Sequence, residues 1–399
     1  MSMPRSDTFQ FCERLFGHLP RADQRKWAQT YLEGILGTPG KKSVRRLAQA
    51  ATGSDSACQS LHQFINASPW DWKPAREELI RLIEEQGEAL TWSVATAVLP
   101  KRGDHSVGVH RRFDPDAGRT VNCQVGIGLF LTVRDLTLPV EWRILLPDRW
   151  EQDTELRRRT RIPATARPLH QGAHILDLTG EFLHPDSEPD PGPDPASVPA
   201  APLLADLRNE PRAADVITGL SRQGHSFVAA VPGTLTVTPG SHLTARPRPH
   251  TPLEPTAMTA TRFLRLHPSA HRRRGTAPGD DTTASGLVRV PGAARGRSFR
   301  LFTEHGDRTE HGDRTPGQDN PLWLTNMITR PPRDIARLTR HLAHCAETVR
   351  ELSDHYGLLD FEGRSFPGWH RHMTLVSAAY VYDTLHRRTV PFAPNQTAA

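Results

Sequence analysis

Val121-Asn-Cys-Gln-Val-Gly-Ile-Gly-Leu-Phe-Leu-Thr-Val133 is the stretch that decides the fold. From Val125 onward its only polar side chain is Thr132. A strand over this run has no polar face to offer water, so it predicts a central strand, covered on both sides. The run is too short to span a bilayer. Working outward, Leu90 to Leu99 is short and largely apolar, Ser106-Val-Gly-Val-His-Arg-Arg-Phe113 alternates, and Val140-Glu-Trp-Arg-Ile-Leu-Leu146 stops at Pro147. Three strands joined by short turns and then a fourth predict one mixed sheet, in an α/β (α+β) class.

Upstream, residues 7 to 90 read as helical. Phe9, Cys12, Leu15 and Phe16 recur at helical spacing, as do Trp27, Tyr31, Ile35 and Leu36. Ser43 to Ala51, the turn Thr52-Gly-Ser-Asp55 and Ser56 to Ile65 resemble a helix-turn-helix over 43–65. Lys41, Lys42, Arg45 and Arg46 stand at its leading edge, and Gln59, Ser60, His62 and Gln63 lie on its second helix. Those side chains suit phosphate or base contact, and they suit an ordinary helical hairpin equally well.

Downstream, Leu169 to Phe182 predicts a helix. The segment HPDSEPDPGPDPASVPAAP, His184 to Pro202, reads as an extended linker, because its prolines forbid both helix and ladder pairing. Leu203 to Asp206 restarts order, Pro211 to Gln223 predicts a helix and Phe227 to Val231 a buried strand. From Gly233 to Asn320 the expectation is a β-rich insertion, with strands at Leu235–Thr238, Arg262–Leu266, Leu287–Val290 and Ser298–Thr303. Within it Thr303-Glu-His-Gly-Asp-Arg308 is repeated verbatim as 309–314, which reads as a tolerated loop insertion. Pro321 to Thr325 predicts a strand; Pro332 to His355 and Trp369 to Leu385 predict helices. The expected domains are an N-terminal helical domain over residues 1–88, the opening portion of a sheet core over 89–232 with linker 184–202, the insertion over 233–320, a helical end of the core over 321–388 and a tail over 389–399.

A chain of 399 residues can bury a sizeable core. Its 50 Lys and Arg against 44 Asp and Glu leave a net charge of +6, which permits a polyanionic partner without requiring one. Cys12, Cys58, Cys123 and Cys345 are widely spaced and form no CxxC pair, so neither a disulfide framework nor a zinc site is expected. With no signal-peptide pattern at the start, the expectation is a cytoplasmic protein with no membrane partner. GxSxG, GxGxxG and GxxxxGK[ST] are all missing, so no nucleophile elbow or nucleotide loop directs the reading elsewhere.

Four segments, in this order, resemble the bacterial insertion-sequence DDE transposases, in the branch with a β-rich insertion before the last catalytic residue. Leu99-Pro-Lys-Arg-Gly-Asp-His-Ser-Val-Gly-Val109 is similar to that family's PKKGxHSVGV. Val121-Asn-Cys-Gln-Val125 resembles its NCQ strand. Leu138-Pro-Val-Glu-Trp-Arg-Ile-Leu-Leu-Pro147, with Trp150 and Asp153, resembles PxxWRLYLP…W…D. Gly357-Leu-Leu-Asp-Phe-Glu-Gly-Arg-Ser365 with Trp369-His-Arg-His-Met-Thr-Leu375 resembles GLDxYEGRS…GWxRHxTL. The resemblance implies an RNase H-like mixed sheet, an N-terminal helical DNA-binding region, and strand transfer by two Mg²⁺ ions on two aspartates and a glutamate.

Aligned on Pro100, the family's first aspartate falls on Ala95, followed by Thr96 and Ala97. The second matches Asp206, but Asn209-Glu210 stands where the family has an aromatic and a glycine. Counting back from Gly357, the glutamate position is Ala346, with Glu347 next to it. A shift of one residue turns a helical side chain by about 100°. The reading is therefore a transposase-like DNA-binding protein without nuclease or strand-transfer activity, with Mg²⁺ expected only if the chain is active. Candidate DNA-binding residues are Lys41, Lys42, Arg45, Arg46, Lys101, Arg102, Arg111 and Arg112. Arg157 to Arg159 and Arg272 to Arg274 are further basic groups, and a homodimer is compatible with the reading. Two alternatives remain open here. In one, the scaffold is recruited to small-molecule chemistry or protein interaction through His105, His110, Asp206 and Glu347. In the other, an active enzyme uses the displaced acids Asp104, Asp206 and Glu347.

Overall fold

The computed structural model describes residues 5–114, 118–147, 149–167, 169–183, 201–240, 256–266, 282–294, 296–305 and 320–389. Arg272 to Arg274, Asp280-Asp281, residues 184–200 of the linker, most of the duplicated hexapeptide and the tail beyond 389 lie outside the described residues.

Five helices open the chain: α1 (Arg5–Phe16), α2 (Ala22–Gly37), α3 (Val44–Thr52), α4 (Ala57–Asn66) and α5 (Lys73–Glu84). Their apolar stripes supply Leu15, Phe16, Tyr31, Ile35, Leu47, Leu61, Phe64, Leu79 and Ile83 to a common core. Helix α3 begins where the Ser43 hydroxyl accepts the Arg46 N–H and ends at Gly53, whose φ of 68° suits a residue without a Cβ.

The strands β1 (Ala89–Pro100), β2 (His110–Asp114), β3 (Arg119–Val133) and β4 (Leu136–Ile144) follow. Next come α6 (Arg149–Gln152), α7 (Thr154–Arg159), α8 (Gln171–Phe182), β5 (Leu203–Asp206), α9 (Ala213–Gln223), β6 (Phe227–Val231), β7 (Thr236–Pro239), β8 (Met258–Thr259) and α10 (Ala260–Leu266). The chain closes with β9 (Thr282–Arg289), β10 (Phe299–His305), β11 (Leu322–Thr325), α11 (Pro332–His355) and α12 (Phe366–Thr389). The strand order is β2–β3–β1–β5–β6–β11–β10–β9–β7–β8, with β4 also paired to β3. Antiparallel pairing joins β2 and β4 to β3, whereas β1, β5 and β6 run parallel. The core order β4–β3–β1–β5–β6 is that of an RNase H-like mixed sheet. Strand β11, and through it β10, β9 and β7 of the insertion, extend it by antiparallel pairing from β6.

Two compact units divide the chain. One holds residues 1–89, 96–170 and 345–399; the other holds 90–95 and 171–344. In the first, Gly128 lies opposite Trp142 in the β3–β4 register, and a Cβ there would come within 2.9 Å of the indole. The glycine thus admits a fully buried Trp142, whose Nε1 donates to Ser377 Oγ of α12 at 3.0 Å. In the second, Leu204, Val228, Ala230, Phe302, Trp323, Met327 and Ile335 form a hydrophobic core cluster.

Two expectations are corrected. Arg262 to Leu266 lies in helix α10, where the adjacent Phe263 and Leu264 are both buried; a short apolar run carries no period that separates strand from helix. The strand expected from Ser106 begins only at His110, because Gly108 sits at φ 71° in a turn against Ile144. Among the described residues no helix is long and apolar enough to cross a membrane.

Candidate functional site

Asp206 and Ala95, the positions expected for the second and first acids, lie on neighbouring strands. In the parallel β1–β5 register Ser93 pairs with Leu204 and Val94 with Ala205. Continuing by one residue sets Ala95 beside Asp206, both side chains on one face of the sheet. Strand β1 reads ALTWSVATAVLP and carries no carboxylate. On the same face, Thr91 Oγ1 is 3.0 Å from Nδ1 of His341, and the buried Ser93 hydroxyl has no hydrogen-bond partner among the described residues. Burial lowers the pKa of His341 to about 4, with the Arg340 charge adding to the effect.

Asp206 is not a free carboxylate. The Arg208 backbone N–H donates to Oδ1 at 3.0 Å, its Nε reaches Oδ1 at 3.0 Å and Oδ2 at 3.1 Å, and its Nη2 reaches Oδ2 at 2.6 Å. The carboxylate in turn holds the Arg208 guanidinium above its ordinary pKa. A cation approaching Asp206 meets a positive group already seated on it in bidentate geometry. Glu210, where the family has glycine, is buried and accepts the Arg212 N–H at 3.0 Å at the start of α9.

On α11 Ala346, the position expected for the glutamate, and its neighbour Glu347 are both exposed, while Cys345, Thr348 and Leu352 form the buried stripe. Asp104 is an exposed residue of the turn after β1. It borders an open depression of about 490 Å³ with His105, Arg149, Gln152, Asp153 and Leu156. Asp153 there accepts the Leu156 N–H as the cap of α7. His110 packs half-buried with Nδ1 2.9 Å from the Gly108 carbonyl, and burial lowers its pKa. Among the described residues no three His, Cys, Asp or Glu side chains gather so as to hold a metal ion. With a methyl beside Asp206 and an arginine upon it, these residues do not fit a pair of Mg²⁺ ions.

The candidate DNA-binding residues fall into two groups. Lys42 is 4% exposed; its ammonium donates to the Thr38 carbonyl and its backbone N–H to Asp360 Oδ2 at 2.7 Å. Lys101 donates to the carbonyls of Leu359 at 3.2 Å and Phe361 at 2.9 Å. Burial lowers its pKa to about 8, opposed by Asp360 and Glu362 and aided by Lys41. These two lysines fasten loops together inside the fold, which corrects their reading as phosphate contacts. Arg45 pairs with Asp55 at 2.7 Å, and Arg46 donates to the Pro39 carbonyl at 2.7 Å. Lys41, Arg102 and Arg111 are exposed and Arg112 is half-buried. Arg208 and Arg364 were missed by sequence reasoning. Arg208 could have been found as a cation two residues after the retained acid, and Arg364 as an unexplained cation within the GRS motif.

The HRHMT segment of α12 is structural. His372 is fully buried, with Nδ1 3.0 Å from the Tyr31 hydroxyl and Nε2 3.0 Å from the Gly357 carbonyl. Burial, with Lys101 nearby, lowers its pKa to about 3. Arg371 donates to the Trp70 carbonyl at 2.9 Å and the Ile65 carbonyl at 3.1 Å. Arg76 makes a buried ion pair with Glu141 and also donates to Thr374 Oγ1 at 2.7 Å and the His370 carbonyl at 3.0 Å.

The family model described as DDE superfamily endonuclease matches residues 14–273, about two thirds of the chain. No curated protein matches the sequence.

Proposed function

Because the chain belongs to the DDE superfamily of endonucleases, we propose that it is a transposase-like protein that binds DNA and neither cuts nor joins strands. One observation carries the second half of this reading: the β1–β5 register sets Ala95, not an acid, beside an Asp206 already held by Arg208. Two-metal phosphoryl transfer needs clustered negative oxygens to hold hard cations. Metal assistance contributes several kcal/mol to such reactions, and each ~1.4 kcal/mol lost is a tenfold loss in rate. Glu347 does not restore the site, because it is exposed one residue away from the family position.

The first half rests on family membership and on the net charge of +6. Sequence-independent binding to a duplex is driven by counterion release and weakens steeply with salt. The test uses the full chain in two assays. Filter binding should retain duplex DNA at low salt and lose it as salt rises, and supercoiled plasmid with Mg²⁺ or Mn²⁺ should remain un-nicked. Loss of DNA affinity even at low salt would remove the binding half. Metal-dependent nicking that disappears in Asp206→Ala would remove the other.

A further inference from the structure

Four exposed cations lie on segments that the fold ties together, and none of their side chains has a hydrogen bond or ion pair among the described residues: Lys41, Arg102, Arg111 and Arg364. All four belong to the first unit. The ties are explicit. The Lys101 N–H donates to the Asn122 carbonyl at 2.8 Å, and Asn122 Nδ2 reaches back to the Gly103 carbonyl at 2.7 Å, so the turn bearing Arg102 is pinned to β3. Arg111 is the cross-strand partner of Asn122 and shares its face. The Val107 N–H donates to the Arg364 carbonyl at 3.0 Å, which joins the loop bearing Arg364 to the segment after the 101–103 turn. Lys42 N–H on Asp360, with Lys101 Nζ on the Leu359 and Phe361 carbonyls, brings the Lys41 segment to the same loop.

We propose that these four side chains form a phosphate-backbone track for duplex DNA at the end of β1, with buried Lys42 and half-buried Lys101 as the positioning residues that hold its loops. The inference deepens the reading of a DNA-binding chain and rests on it. Free guanidinium and ammonium groups on short, pinned loops suit phosphate contact, since little freedom is lost on binding. Acids interleave the track. Asp360 is engaged by the Lys42 N–H and Glu362 accepts the Val44 N–H at 3.3 Å but remains exposed, so Glu362 and Asp104 are the exposed carboxylates the backbone must pass. That arrangement favours a ridge crossed at phosphate spacing over a deep positive groove, and it reads no sequence.

The experiment titrates the full chain with fluorescein-labelled duplex DNA of two unrelated sequences across about 50–200 mM salt. It compares wild type, the four single alanine variants, the quadruple variant, and Arg21→Ala and Arg81→Ala as controls whose arginines are already paired to acids. Each single variant should lower the slope of log K against log salt by about 0.9, equally for both sequences. The quadruple variant should remove roughly a hundredfold of the affinity change over that range, with an unchanged melting temperature. Controls should bind as wild type. A folded quadruple variant with wild-type slope and affinity, or controls that weaken binding as much as the four, would overturn the track while leaving the DNA-binding reading intact. Wild type without affinity at low salt would overturn both.

Discussion

The buried network around α12 and the strand ends bearing Ala95 and Asp206 hold their charges differently. Around α12, His372, Arg371 and Arg76 have partners, with no solvent to take over if one is lost. At the end of β5, Asp206 is half-buried and its partner Arg208 is exposed. The difference is physical. Removing one partner from a buried polar network leaves an uncompensated group at a cost of several kcal/mol, whereas replacing an acid at an open strand end costs the fold almost nothing and, where metals are needed, costs the reaction nearly everything. A chain can therefore keep the motifs that fold it and lose those that cut DNA.

Arg76→Met should show the larger cost most clearly. It leaves Glu141, which is 2% exposed, with the Trp142 N–H at 2.9 Å and the more distant Arg143 at 3.6 Å in place of its close cation. A loss of about 3–5 kcal/mol is expected, measured by urea unfolding; a loss under about 1 kcal/mol, the range of an exposed pair, would erase the contrast between the regions.

The next effect is in pH. His372 is held neutral, at about 3 against an ordinary 6.5, so the unfolded chain binds a proton that the folded chain refuses. Its contribution is complete above about 6.5 and declines as pH falls toward about 3. His372→Gln should be less stable at neutral pH and should flatten the acid limb of the melting temperature. An acid limb as steep as wild type would locate that proton uptake elsewhere.

Ala95→Asp combined with Arg208→Ala sharpens the other side of the comparison. The pair of substitutions presents two neighbouring carboxylates, and saturating Mn²⁺ should raise stability by about 2.7 kcal/mol at a hundred times Kd. Ala95→Asp alone should respond less, because Arg208 still occupies Asp206; equal responses would show that the arginine is no obstacle. The smallest effect is Arg208→Ala by itself. As a largely exposed pair it should change stability by under about 1 kcal/mol, and a larger loss in thermal unfolding would make it a structural bond.

Much of the fold was legible in the residues. Val121 to Val133 is strand β3, flanked by β1 and β4 as its apolar composition required, and the long amphipathic repeat of Pro332 to His355 is helix α11. The failures have local causes. Arg262 to Leu266 offered too few residues for its period to be read, and Val107 and Val109 are buried in a turn that alternation alone cannot distinguish from a strand. The acid positions rest on counting from the motifs, and the reading that they are lost is the proposal made above. What a string of letters could not give was the state of each charge. Lys42 and Lys101 read like Arg102, yet burial makes fasteners of them, and the arginine on Asp206 becomes visible only once β5 ends and the chain turns back.

The central claim, that no cation site survives at Asp206, is tested most directly by isothermal titration of the full-length wild type and of Asp206→Ala with Mn²⁺. The same weak, non-saturating heats are predicted from both proteins. Stoichiometric binding in wild type that vanishes in Asp206→Ala would contradict it.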